Sequence, residues 1–390
     1  MSLKQNIKKL AALYHAEVVA IRRYLHAHPE LSFEEYETSK FIQQKLKEYD
    51  ISYQSGMVDT GVVALIEGRN PKSKCIALRA DIDALPIQEL NEVDYCSVNK
   101  GVMHACGHDV HTSSLLGTAK ILNALRNEWE GSVKLIFQPA EEKFPGGASK
   151  MIEEGVLQNP QVDRIIGQHV SPELKTGVIG MKPGMFMASA DELYITIKGK
   201  GGHAAIPEKT LNPVHLSAKI ITSLYNHFDS IQETPSVFSI GMISGGSAGN
   251  IVPDEVKLQG TFRAMDEKYR AEAHQKIREI CNEQAKAMGS SCEVDIKVGY
   301  PFLKNDVTFT KNCFDLAKDF LNDSDVIEIN KRMTAEDFSY YTHHVPALFY
   351  RLGVGFEDQS ERFLHNAHFD VDEKALELSV GMMAWLAVNA

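Results

Sequence analysis

Residues 75–83 read CIALRADID, an apolar run of strand length that ends in two carboxylates, Asp81 and Asp83. Two later runs are built the same way. VKLIFQPAEE over 133–142 leads into Glu141 and Glu142, and RIIGQH over 164–169 leads into His169. With Val62–Ile66, the segments Cys75–Leu78, Val133–Phe137 and Arg164–Gly167 make four short strand candidates rich in β-branched or apolar residues. Between them, Val110–Leu125 carries apolar residues at 110, 115, 116, 119, 122 and 125, a helical spacing. Strands alternating with helices predict an α/β domain with a mainly parallel sheet. In such sheets ligands gather outside the carboxyl ends of the strands. Three apolar strands that each deliver a carboxylate or an imidazole there mark a candidate site.

The pattern changes after Lys182-Pro183-Gly184. Strand Glu192–Lys198, helix Asn212–Phe228, strands Val237–Ile243 and Glu255–Phe262, helix Tyr269–Met288 and strand Glu293–Val298 follow in the order βαββαβ. That order is the split-βαβ, ferredoxin-like pattern. The α/β character returns after Tyr300-Pro301 and ends in a helix over Glu373–Val388. The expected organisation is a discontinuous α/β domain, 1–183 and 301–390, with a smaller α+β domain inserted at 184–300.

A net charge of −11 over 390 residues argues against a nucleic-acid binder, because neutralising phosphates needs clustered Lys and Arg. No apolar run reaches the ~18 residues that suggest a membrane span. The first 26 residues have the look of an amphipathic helix and lack the apolar core and small-residue cleavage site of a signal peptide. The six cysteines, at 75, 96, 106, 281, 292 and 313, show no short paired spacing, so a disulfide framework is not expected. The expected compartment is the cytoplasm.

The segment 104–109, HACGHD, adds donors to the site. If it is extended, Cys106 and His108 point to the same side and reach one metal; a buried Cys beside a surface His is the plainer alternative. Gly107 between them permits an unusual turn. Adjacent Glu141 and Glu142 in extended chain would point apart, so that one ligates metal while the other acts as general base. Gly146-Gly147 just beyond suggests close backbone packing. His365 lies in FLHNAHF, 363–369, read as another extended stretch. Carboxylate, thiolate and imidazole together suit Zn²⁺, Mn²⁺ or a similar divalent ion. His26 and His28, in LHAHPE, read as turn and packing residues without a catalytic role.

Taken in order, RRYLHAHPELSFEE, LRADIDALPI, MHACGHDVH, FQPAEE, GKGGHAA and MTAEDF resemble the aminoacylase and hippurate-hydrolase group of metal-dependent amidohydrolases. That group includes plant auxin-conjugate hydrolases and belongs to the wider carboxypeptidase-like di-metal peptidase superfamily. The match runs from about residue 20 to 370, and HACGHD with QPAEE is its specific part. The resemblance implies two divalent metal ions, Zn²⁺ or Mn²⁺ with Ni²⁺ or Co²⁺ as further candidates. It implies Cys106, His108, Glu142, His169 and His365 as ligands, with Cys106 between the metals, Glu142 and His365 on one side and His108 and His169 on the other. Most of the superfamily has Asp where Cys106 stands and His where Asp81 stands. Asp83 matches the acid that orients a ligand, and Glu141 matches the general base.

The resemblance also makes the inserted domain a lid and dimerisation domain. His203 in GKGGHAA matches a lid histidine that enters the partner subunit's active site and stabilises the tetrahedral oxyanion. Asn250 and Arg263 match positions that hold the substrate's carboxylate. Two departures bear on substrate preference: Glu208 replaces the His that usually ends GGHAAxPH, and Asn212 replaces an Asp before Pro213. The implied reaction is hydrolysis of an N-acyl amino acid, a small molecule, by a cytoplasmic homodimer with neither a nucleic-acid nor a membrane partner. The alternatives are a dipeptidase or carboxypeptidase of the same superfamily and a non-catalytic metal-binding descendant; the latter should lack Glu141 or a ligand, and none is missing.

Overall fold

The computed structural model describes residues 1–230, 234–356 and 362–390. The chain divides into two compact units, one of Met1–Gly184, Lys304–Asn330 and Asp337–Ala390, the other of Met185–Leu303 and Lys331–Glu336. Residues 331–336, which the sequence reading leaves with the segment after 300, join the second unit. No helix among the described residues is long and apolar enough to cross a membrane.

The first unit is a mixed α/β fold around an eight-stranded sheet. Its strand order is Tyr53–Met57, Gly61–Glu67, Ser132–Gln138, Cys75–Asp81, Arg164–Lys175, Ala347–Gly355, Ile179–Met181, Val326–Glu328. The four central strands, from Ser132–Gln138 to Ala347–Gly355, run parallel. On one flank the first two strands pair antiparallel, as does Gly61–Glu67 with Ser132–Gln138. Ile179–Met181 runs antiparallel to Ala347–Gly355 on the other. Every residue of Cys75–Asp81 and Ser132–Gln138 is buried, which is why these strands read as continuous apolar runs and not as alternating ones.

Helix Leu3–Ala27 begins with a capping box, the Ser2 side chain accepting from the Gln5 amide and the Gln5 side chain from the Ser2 amide. It packs against helix His108–Ala124 and helix Ala375–Asn389, and all three share one apolar core with the sheet. The third of these helices is buried along nearly its whole length.

In the second unit four antiparallel strands lie in the order Ser236–Ser244, Glu255–Ala264, Asp191–Lys198, Cys292–Val298. Burial alternates along Asp191–Lys198, as it does where one sheet face is covered and the other is open. Helices Pro213–Asp229 and Glu267–Ala287 pack on each other and on this sheet. Asn212 caps the first of them by accepting the Val214 amide at 3.0 Å, a task Asp performs equally well. Inside the unit, buried Asp191 accepts from Arg270 Nε at 2.9 Å, His274 Nε2 at 2.6 Å and the Gly299 amide at 3.1 Å.

Candidate metal centre

Three neighbouring parallel strands bring the site residues to one end of the first unit's sheet. Their register sets Asp81 beside Gln138 and Arg79 beside Gly167. Asp83, Glu141 and Glu142 then follow just beyond two strand ends. His169 differs slightly from expectation: its strand continues to Lys175, so it projects from within the strand.

Donor atoms of Cys106, His108 and His169 all lie within 4.8 Å of one another, and so do those of Cys106, Glu142 and His365. The two sets share Cys106. Hydrogen bonds fix which ring nitrogens face inward. His108 donates Nδ1–H to the Asp83 carbonyl at 2.9 Å and to its carboxylate at 3.1 Å, leaving Nε2 buried without a hydrogen-bond partner. His169 donates Nδ1–H to the Val170 carbonyl at 2.7 Å, and its Nε2 stands 3.4 Å from the Cys106 sulfur. Glu142 Oε1 is buried without a hydrogen-bond partner, 3.3 Å from His365 Nε2. Converging buried lone pairs left unsatisfied by the protein are what a cation pair would satisfy, and the N, O and S donors suit divalent ions of the zinc or manganese type.

Without a cation, burial and the neighbouring carboxylates set the protonation states. Burial, with the Glu142 and Glu141 carboxylates, pushes the Cys106 thiol well above its ordinary value. Burial and Arg351 hold His169 neutral, with its pKa well below the usual imidazole range. Burial opposes the charge on His108, but Asp81 and Asp83 outweigh it and push the imidazole up to about 10. A bound dication inverts this preference, favouring thiolate and neutral imidazole.

Local geometry decides one condition the sequence left open and corrects two expectations. Segment 104–109 is not extended: Gly107 is left-handed (φ 82°) and His108 opens the helix. Cys106 and His108 converge because of that turn. Glu141 and Glu142 do not diverge: the chain bends at both residues, just after left-handed Ala140 (φ 54°), and one oxygen of each lies within 4.8 Å of the other and of His108. His365 sits in a turn with φ 59°, not in an extended stretch. The expected close packing at Gly147 is present: a Cβ there would stand 1.8 Å from the Pro139 carbonyl oxygen.

A profile of peptidase family M20/M25/M40 matches residues 77–389. The chain belongs to that family. It is 42% identical over 301 residues to an N-acyl-L-amino acid amidohydrolase of Geobacillus stearothermophilus, covering 76% of this chain and 80% of the relative. It is 38% identical over 380 residues to an N-acetylcysteine deacetylase of Bacillus subtilis, covering 96% and 97%. Among solved structures, a dinuclear metal-binding M20 peptidase of Bacillus subtilis superposes with a TM-score of 0.84 at 36% identity, covering 97% of this chain and 98% of that one.

This M20 chain places several unforeseen residues around the donors. Arg79 pairs with Asp81 and, at 2.7 Å, with Asp337. His111 donates to Asp81, and its Nε2 accepts the Val170 amide at 3.0 Å, so both nitrogens of this ring are engaged. Asp337 also accepts from Gln138 and from the Ala148 amide. The signals were present: His108 and His111 are three apart in a helix, on one face, and a charged residue inside CIALRA must find a buried partner. His26 is a packing residue of a particular kind, buried near the end of helix Leu3–Ala27 and bonded to Asp109 at 2.8 Å and Glu89 at 3.1 Å.

Asp83, Cys106, His108, Glu141, Glu142, His169 and His365 all belong to the first unit of this M20 peptidase relative, whereas His203, Asn250 and Arg263 belong to the second. Exposed His203 pairs with Ile251 in a two-residue ladder, and the Ala204 amide donates to the Asn250 carbonyl at 3.0 Å. Arg263 is half-buried and donates to the Met333 carbonyl at 3.0 Å. Glu208 is exposed in a short 3₁₀ turn, Pro207–Lys209.

Proposed function

We propose that this chain hydrolyses the amide bond of N-acyl amino acids, releasing a carboxylic acid and an amino acid. The observation that carries this reading is the pair of donor sets sharing Cys106, with a Glu141 oxygen within 4.8 Å of His108 and Glu142. The relatives named for N-acyl amino acid and N-acetylcysteine hydrolysis supply the substrate class. Cys106, His108, Glu142, His169 and His365 would hold two divalent cations, zinc or manganese. Bound there, the cations would polarise the scissile carbonyl and make water a stronger acid.

Glu141 takes a proton from the attacking water, whose oxygen bonds to the carbonyl carbon. The same carboxyl then hands that proton to the amine nitrogen as the C–N bond breaks. Asp83 keeps the His108 ring turned with Nε2 inward. His203 donates to the developing oxyanion, a contribution of about 3–4 kcal/mol in other enzymes. Asn250 and Arg263 hold the substrate's carboxylate.

The second unit acts as lid and dimerisation domain. Its βαββαβ order, with two helices on an antiparallel sheet, supports a ferredoxin-like build. Strand Ser236–Ser244 forms one edge of its sheet, with Val237, Met242 and Ile243 exposed, and an unpaired edge of this kind favours pairing with a second copy. The enzyme works as a cytoplasmic homodimer. A panel of N-acetyl, N-benzoyl and longer N-acyl amino acids, run beside dipeptides with Mn²⁺ or Zn²⁺, tests the reading. Acyl amino acids should give the higher kcat/KM; faster turnover of dipeptides would replace it with a dipeptidase.

A further inference from the structure

The segment that carries Glu141 and Glu142 close to His108 leaves its strand through Ala140, whose φ of 54° is unfavourable for any residue with a side chain. Something must hold it there. The Ala140 amide donates to Oε1 of Glu35 at 2.9 Å, and the Phe33 amide donates to the same oxygen at 2.9 Å. Phe33 is itself left-handed, with φ 68°. One fully buried carboxyl oxygen thus ties together two loops at the points where each adopts a disfavoured conformation. The second oxygen takes the Thr60 hydroxyl at 2.7 Å, which fixes the direction of the carboxyl group. On the far side of Glu141, the Glu142 amide donates to Asp83 at 2.9 Å, and the Gly147 amide returns to the Ala140 carbonyl at 3.0 Å. Glu141 therefore sits between two anchored peptide groups, one held by Glu35 and the other by Asp83.

We infer that Glu35 is a positioning residue for Glu141: it holds the Ala140 bend, and through it the direction of the proton-transferring carboxylate. The inference rests on the reading of Glu141 as the base. The hydrogen bonds of the Glu35 side chain go to Phe33, Thr60 and Ala140 and not to the donor set. Without its oxygen, the Ala140 amide is buried and unpaired, and the backbone relaxes from the left-handed region, which redirects the peptide that leads into Glu141. Glu142 stays anchored through Asp83, so metal content should persist while proton transfer suffers.

The test compares Glu35→Ala, Glu35→Gln and Glu141→Gln, and combines the first with the third. A glutamine oxygen still accepts both amides and its NH₂ can donate to Thr60, so Glu35→Gln should approach the parent. In Glu35→Ala, amide exchange of residues 139–147 in the metal-free protein should speed up about tenfold or more. Its kcat should fall about ten- to a hundredfold, with KM within about threefold and metal content kept. Added to Glu141→Gln, the alanine change should cost little more, because the two act through one group. Parent-like exchange in that segment overturns the inference, as does faster exchange with kcat within about threefold of the parent, or a full additional loss in the double variant. If the alanine protein does not fold, Glu35→Leu replaces it in the same measurements. Full activity in Glu141→Gln would sink the base assignment alone, since the exchange measurement needs no turnover.

Discussion

The Glu142 amide donates to Asp83 at 2.9 Å, through the carboxylate oxygen not engaged by His108. One side chain thus orients two donors of the candidate centre. Asp83→Asn turns one of these acceptors into a donor and must disrupt one contact. Metal affinity should drop about 10–100-fold, as it does when such orienting carboxylates are changed elsewhere. Competition against a chelator measures it, and unchanged affinity would remove Asp83 from this role.

Glu141→Gln should separate chemistry from binding. It removes proton transfer but none of the five proposed ligands, so elemental analysis should find metal at the parent level. The kcat should fall by about 10²–10⁴, the usual share of general acid–base catalysis. Metal-loaded protein at full activity would take Glu141 out of the mechanism.

Cys106→Ala should do the opposite. Its sulfur belongs to both donor sets, so its removal weakens both positions, and metal content and activity should fall together. An alanine variant with unchanged stoichiometry would show that the thiol is not a ligand.

Acid sensitivity in the second unit should centre on Asp191. Burial opposes its charge, but His274 and Arg270 outweigh it and hold the carboxyl below the ordinary range. A carboxyl with a depressed folded pKa contributes stability above its unfolded value, about 3.9, and loses it as pH falls through the folded value. Protection against hydrogen exchange across 255–298, relative to the unfolded chain at the same pH, should therefore fall on acidification below about pH 4. Asp191→Ala should destabilise the unit by about 1–3 kcal/mol at neutral pH, because Arg270 and His274 lose their shared buried acceptor while Arg270 keeps only Glu267 and the Gly299 carbonyl. A variant matching the parent at pH 7 would contradict this.

The proposed dimer makes a demand on mixed subunits. Chains with His203→Ala and chains with Glu141→Gln should each be nearly inactive. If His203 serves the partner subunit's site, a heterodimer of the two restores one working site, with the first chain's base and the second chain's histidine. Verified heterodimers as inactive as their parents, or a monomer at working concentration, would rule out action in trans.

Strands and donors were legible in the sequence because both are local: an apolar run of strand length and the residue that follows it. The arrangement around them was not. Arg79 and Asp337 are 258 positions apart, and Glu35 reaches Ala140 across 105, distances over which no spacing rule operates. The turns at Ala140 and His365 were misread as extended for a common reason. Each depends on a left-handed residue that is not glycine, and nothing in the immediate sequence announces that conformation. Gly107 did announce it, directly before a helical run with Asp109 in its first turn.

Helix Ala375–Asn389 has a consequence for how the protein is made. It fills the core formed with helices Leu3–Ala27 and His108–Ala124, yet it leaves the ribosome long after both. The second unit's core, contained within residues 193–296, is complete on the nascent chain while the first unit still lacks its closing helix. At about 5–20 residues per second, that interval lasts several seconds. During it, the apolar faces of the two waiting helices have no final partner, so the order of synthesis runs against the order of closure. The part of the molecule with the candidate metal centre is the last to finish folding.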